Sequence, residues 1–240
     1  MHSSRLKAAI KRFPAYERAT ASLKSRRSFS QFGEDVHIRS IYDRLRFDTG
    51  LIVKHGLIVD IGSYRPILLS NSYYFYTQGW KSINVDPTPG SKRLFDRVRP
   101  NDVNLELAVG QLEQPIRFHV FGRPSVWNTT DPEVAARAAA KIGRAPEIIE
   151  VDTCRVDTLL RRHGHDLPFE LLLIDSEGAE MDVLQSVDLC LNRPRIILLE
   201  AHDLDVKSLA TADLVVMLQR HGYSLFSWIN PNLLFLRDGE

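Results

Sequence analysis

Several things are scarce in this chain. Its 240 residues hold two cysteines, Cys154 and Cys190. Neither C-x-x-C spacing nor a paired-histidine pattern accompanies them, so a disulfide framework is excluded and a zinc site is not supported. Both are expected to be buried small hydrophobes. No apolar run approaches the roughly 20 residues that cross a bilayer. The start, MHSSRLKAAIKRF, lacks the continuous apolar core of a signal peptide, which points to the cytoplasm. The net charge is +1, so no global electrostatic case for nucleic acid exists. There is no internal repeat and no low-complexity tract. One shortage is local. In VDIGSYRP (59–66) an apolar strand turns at Gly62, yet Tyr64 and Ile67 stand where a pyrophosphate-binding turn has its second and third glycines. Without them a backbone cannot approach phosphates closely, which counts against NAD.

What is present is ordinary for a globular domain: 44% hydrophobic and 25% charged residues. The length fits one domain, residues 30–240, behind an arm of residues 1–29, helical or partly disordered. The arm is basic, with Arg5, Lys7, Lys11, Arg12, Arg18, Lys24, Arg26 and Arg27 against Glu17 alone. It reads as a solvated leader or as a peripheral contact with an anionic membrane face or acidic partner.

Helical periodicity marks 33–46, 89–100, 131–143, 179–187 and 213–222, with a further helix over 70–80 capped by Ser70 and stopped at Gly79. Apolar runs predict strands at 56–62, 81–86, 103–110, 115–122, 169–178, 195–203, 223–229 and 232–237, and 147–164 reads as a strand followed by a short helix. Near-continuous apolar strands separated by helices indicate a doubly wound, mostly parallel sheet covered on both faces. The last two strands, joined by Asn230 and Pro231, form an antiparallel hairpin.

In such folds ligands sit at the carboxyl ends of the strands. Three apolar strands here end in Asp60, Asp86 and Asp175, and a fourth carries Glu200 with His202 two residues on. Unpaired acids are expensive at such places, so repeated acids suggest ligand contacts. Asp86 lies 26 positions after Asp60, where an acid accepts both hydroxyls of a ribose. A cofactor without phosphates needs only Gly62 for its turn, and S-adenosylmethionine fits that description.

The chain resembles the FkbM family of S-adenosylmethionine-dependent methyltransferases. SQFGED (30–35), VDIGSYRPILLSNSYYFYTQGW (59–80), INVDPTPGS (83–91), RPNDVNLELAVG (99–110), LLIDSEGAEMDVL (172–184), RPRIILLEAHD (193–203) and NLLFLR (232–237) carry the resemblance over nearly the whole chain. It implies a class I methyltransferase: a Rossmann-like, mostly parallel seven-stranded sheet with a C-terminal antiparallel hairpin. It also implies a hydroxyl acceptor on a sugar, a glycan or a glycan precursor. A natural-product hydroxyl is the alternative, as is a non-catalytic or partner-dependent module that binds the cofactor without turnover. The departure from the family loop is Ser63-Tyr64-Arg65.

On this reading Asp60, Gly62, Ser63, Ser70 and Asn71 meet the amino-acid end of the cofactor, Asp86 its ribose and Ala108 its adenine. Ser70 is also an ordinary helix cap, and Ala108 ordinary core. Gln31 belongs to a lid-like segment or, with Glu34 and Asp35, to an imperfect capping motif. Trp127 and Asn128 suit a sugar face, or simply anchor a loop. Glu200 and His202 share one face of their strand. Histidine titrates near neutrality and is the natural base for a hydroxyl. Asp175 and Glu177 complete the candidate catalytic set. Glu180 reads as an exposed helix acid. Asp175, Glu177, Glu200 and His202 also offer hard ligands for a divalent cation such as magnesium, though their spacing does not require one. Oligomerisation is left open.

Overall fold

The computed structural model describes residues 27–164, 166–202, 204–229 and 231–239. The basic arm lies outside these up to residue 26. Ser28 and Phe29, assigned above to the arm, are tied to the domain: Ser28 Oγ donates to Asp35, and the Phe29 carbonyl accepts the Ser70 amide.

In chain order the elements are α1 (Glu34–Thr49), β1 (Leu57–Ile61), α2 (Tyr73–Thr77), β2 (Lys81–Val85), α3 (Ser91–Val98), β3 (Val103–Leu105) and β4 (Ala108–Val109). Then come β5 (Ile116–Val120), α4 (Pro132–Ile142), β6 (Glu147–Val151), β7 (Thr153–Cys154), α5 (Val156–His163), β8 (Phe169–Ile174) and α6 (Glu180–Leu184). The chain closes with β9 (Ile196–Glu200), a 3-10 turn (Leu209–Thr211), α7 (Asp213–Arg220), β10 (Tyr223–Ile229) and β11 (Asn232–Arg237).

A seven-stranded sheet runs in the order β10-β11-β9-β8-β1-β2-β3. β1, β2, β3, β8 and β9 pair in parallel, while β11 runs antiparallel to both β9 and β10. This is the doubly wound sheet with a terminal hairpin that the apolar runs predict. All five residues of β1 are buried because both faces are covered. The two-residue pleat sorts β8 cleanly. Leu171 and Leu173 face the cluster built on Ile38, Ile41, Phe75 and Trp80, while Leu172 and Ile174 face the larger one with Val183, Leu218 and Tyr223.

Some expectations are corrected or resolved. The strand over 103–110 is two pieces: β3 ends the main sheet, and β4 leaves it to pair with β7. Over 115–122, where the sequence allows either an extension of the sheet or a hairpin, the strand stays off the main sheet and pairs antiparallel with β6 in a separate ribbon. The helix over 70–80 is shorter, because Ser70 Oγ accepts the amide of Tyr73 and Leu69 sits at φ 58°, so Ser70–Ser72 stay in loop conformation. Cys154 is buried as expected, whereas Cys190 is exposed.

The strand order reverses at β1, which has β2 on one side and β8 on the other. Ligands of doubly wound sheets sit at such a point.

Candidate functional site

A cavity of about 570 Å3 opens at the carboxyl ends of β9, β8, β1 and β2. All the candidate residues named from the sequence, from Gln31 to His202, line it. Four adjacent strands deliver Glu200, Asp175, Asp60 and Asp86 to one place because each apolar run ends there.

The turn after β1 is held by backbone geometry. Gly62 has φ 72°, and a Cβ there would be driven into the carbonyl of Asp175 at the end of β8. Only glycine lets the two strand ends approach so closely. Tyr64 adopts φ 49°, which turns its amide onto Asp86 Oδ2 at 2.9 Å. The amide of Thr88 donates to Asp86 Oδ1 at 2.7 Å. Each carboxylate oxygen so held keeps a lone pair for the cavity. Burial raises the Asp86 pKa, against the pull of those amides.

Asp60 is tied down from behind. Ser72 Oγ donates to Asp60 Oδ2 and accepts from Arg99 Nη1. Burial raises the Asp60 pKa, with Ser72 and Arg99 opposing it. Arg99 and Asp102 form an ion pair at 2.7 Å with both side chains fully buried, and Arg99 also donates to Ser82. Beside this scaffold, Ser63 Oγ and Asn71 Oδ1 are buried and have no hydrogen-bond partner. Buried polar atoms are nearly always satisfied, so two orphans facing one cavity mark places for ligand atoms. Gln31 is exposed at the rim, whereas Glu34 and Asp35 cap the chain locally: Asp35 accepts from Ser28, Ser30 and the Phe29 amide, and Glu34 from the Phe32 amide and Asn232.

At the other end sits an acidic group. His202 Nε2 lies 3.4 Å from Glu200 Oε2 and 3.9 Å from Glu177 Oε2. Glu177, Glu200 and His202 each bring one ligand atom within 4.8 Å of the others. Asp175 stands behind them, hydrogen-bonded to Glu200, so the cation-ligand set read from the sequence contracts to three. Burial, then the Glu200 charge, pushes the Asp175 pKa well above the carboxylate range. Burial also raises Glu200. Glu177 is pushed up to about 8 by burial, then by the charges of Asp175 and Glu180. Glu177 sits at φ 51°, and Glu180 holds that loop by accepting from Ser176 N, Ser176 Oγ and Gly178 N. Glu180 is therefore a loop clamp, not an exposed helix acid.

A pH prediction follows. Between its ordinary value of 4.5 and about 8, Glu177 binds its proton more tightly when folded than when unfolded. Stability contributed this way is present at low pH and lost as pH rises through that window. Asp175 and Glu200, both raised, act with the same sign. Melting temperature is expected to fall across the window, and Glu177→Gln to flatten part of the slope. A wild-type melting temperature that rises there would contradict it.

Asn128, expected at the substrate, is a loop anchor. Its Oδ1 accepts the amides of Phe121 and Gly122, and its Nδ2 donates to Thr88 and to the Gly122 carbonyl. Nothing is left over for a ligand. Trp127 beside it is 37% exposed and lines the cavity. Sequence reasoning missed Arg137 and Lys141, which bring α4 into the cavity wall. Their four-residue spacing on one helix face was the available signal.

Among comparisons with known proteins, a family model described as the methyltransferase FkbM domain matches residues 60–225, more than half of the chain. No curated protein matches it.

Proposed function

This chain belongs to the FkbM methyltransferase family, and on that premise we propose that it transfers a methyl group from S-adenosylmethionine to a hydroxyl of a sugar, a glycan or a glycan precursor. The observation that carries the cofactor is the pair of buried, unpartnered polar atoms, Ser63 Oγ and Asn71 Oδ1, beside the Gly62 turn. Asn71 Oδ1 can only accept, and an ammonium is the donor it lacks. Asp86 accepts the ribose hydroxyls through its remaining lone pairs. Ala108 and its buried neighbour Val109 offer adenine a small apolar wall. The loop after Gly62 offers pyrophosphate no cradle, since the Tyr64 amide is already given to Asp86 and the Pro66 ring is buried. NAD is disfavoured on that ground.

When bound, the cofactor supplies a methyl carbon activated by sulfonium. The protein's work is to align the acceptor oxygen with that carbon and to remove its proton. His202 is the base. With its Nε2 hydrogen turned to Glu200, Nδ1 is the nitrogen that takes the hydroxyl proton. Asp175 shares a hydrogen bond with Glu200 and fixes that side chain beside His202. Glu177, Glu200 and His202 would also serve a magnesium ion that acidifies a vicinal diol. The exposed ring of Trp127 supports a sugar face over an extended apolar acceptor.

The test is calorimetric titration with S-adenosylhomocysteine, with NAD as the control. Micromolar binding of the first and none of the second is expected. Asp86→Ala should weaken binding about 100-fold, close to 3 kcal/mol for two hydrogen bonds to a charged group. Asp86→Asn guards against a folding defect, and His202→Ala should bind as the wild type does. Absence of binding in folded protein would overturn the assignment. Binding without turnover on any hydroxylated sugar would leave a cofactor-binding module.

A further inference from the structure

The cavity lining carries charges of both signs. Besides Asp175, Glu177 and Glu200 it is walled by α4, from which Arg137 and Lys141 face the same space. Neither cation has a salt-bridge or hydrogen-bond partner among the described residues. Lys141 Nζ lies 4.9 Å from the centre of the Trp127 ring, so ammonium and aromatic face are presented together.

The position of α4 relative to the acidic end is fixed. Thr129 Oγ1 donates to the carbonyl of Glu177 and accepts the amide of Asp131, whose carboxylate caps the helix. From that anchor the helix rise of about 1.5 Å per residue puts Arg137 roughly 9 Å and Lys141 roughly 15 Å along the axis. Side chains lean back toward the helix start, which shortens both reaches. The cofactor's own carboxylate does not account for these cations, since its end of the cavity is the turn at Gly62, Ser63 and Asn71.

We propose that Arg137 and Lys141 select an anionic acceptor: a sugar whose hydroxyl sits at Glu200 and His202 while a phosphate or carboxylate, on the same or the next unit, is held at α4. Guanidinium is suited to either anion, and a phosphate or carboxylate facing two cations that lack anionic partners gains more than a neutral hydroxyl there. This rests on the methyltransferase reading for the direction in which the acceptor lies.

The experiment titrates the full chain, with and without S-adenosylhomocysteine, with glucose, glucuronate and glucose 1-phosphate at low salt. One of the two anionic sugars is expected to bind at least about ten-fold more tightly than glucose. Which of them binds better tells carboxylate from phosphate. The exposed double variant Arg137→Gln/Lys141→Gln should lose that preference and keep its affinity for S-adenosylhomocysteine. Arg137→Lys/Lys141→Arg should retain part of it. Equal binding of the three sugars, or no binding of any, overturns the proposal, as does a preference that survives the double variant. Loss of S-adenosylhomocysteine affinity in the double variant also overturns it, placing the cations at the cofactor. Failure of the wild type to bind S-adenosylhomocysteine would instead sink the methyltransferase reading, and the sugar titrations run without it would still report on α4.

Discussion

Gly62→Ala is expected to abolish S-adenosylhomocysteine binding and to lower the melting temperature by roughly 6–12 °C, the equivalent of about 3 kcal/mol in a chain of this size. Two costs add. A non-glycine residue at φ 72° is strained by about 1–2 kcal/mol, and a methyl forced against the Asp175 backbone overpacks the strand ends by about 1–3 kcal/mol. Because β1 and β8 would have to part where the strand order reverses, the cofactor turn and the acidic end would shift together. Gly90→Ala separates the two costs. Gly90 has φ 90° but open space around it, so that variant should show the backbone strain alone and bind normally. If Gly62→Ala melts and binds like Gly90→Ala, the close approach of the two strands is not what shapes the site.

Arg99→Met is expected to be the most destabilising change away from the cavity surface. It leaves Asp102 buried without its countercharge and removes the donor that steadies Ser72 against Asp60. Breaking a fully buried pair costs about 3–5 kcal/mol, most of it the burden of the charge left behind. The double variant Arg99→Met/Asp102→Leu removes both charges and should recover much of the loss, read from urea midpoints at unchanged slope. In either variant Asp60 keeps Ser72 but loses the Arg99 charge and the donor that holds Ser72 in place, so S-adenosylhomocysteine affinity should remain low even where stability returns. Recovery of both would mean that the pair acts on stability alone. Recovery of neither would mean that the guanidinium's bonds to Ser72 and Ser82, not its charge, hold this region.

The sheet and its acids were legible because four of the five parallel strands are short apolar runs ending abruptly in Asp60, Asp86, Asp175 or Glu200, and that pattern is local. What escaped the sequence depends on contacts between distant segments. Nothing in VNLELAVG shows that the chain leaves the main sheet before Ala108, because its partner, Thr153–Cys154, lies some forty residues on. Asn128 looked like a ligand residue in a polar loop; its four hydrogen bonds reach back to Thr88 and to the Phe121–Gly122 turn, which spacing does not reveal. Glu180 looked like a solvated helix acid because its partners, Ser176 and Gly178, are loop amides and a hydroxyl. Apart from their four-residue spacing, Arg137 and Lys141 carry no local signal that sets them apart, since the solvent face is the usual place for cations on an amphipathic helix.

The short pairing of β4 with β7 has an evolutionary corollary. Residues 111–152 depart and return at neighbouring points, and between them the chain pairs with itself as β5 and β6 rather than with the seven strands. Such a segment is a cassette: insertions or exchange within it need not disturb the seven-stranded sheet, provided that the bonds from Asn128 to Thr88 and from Thr129 to the Glu177 carbonyl are kept. Since it contributes Trp127, Arg137 and Lys141, lineages could reshape this wall of the cavity by replacing the stretch while keeping the strand-end acids in place. Chimeras that swap it between family members are the natural route to new acceptor preferences.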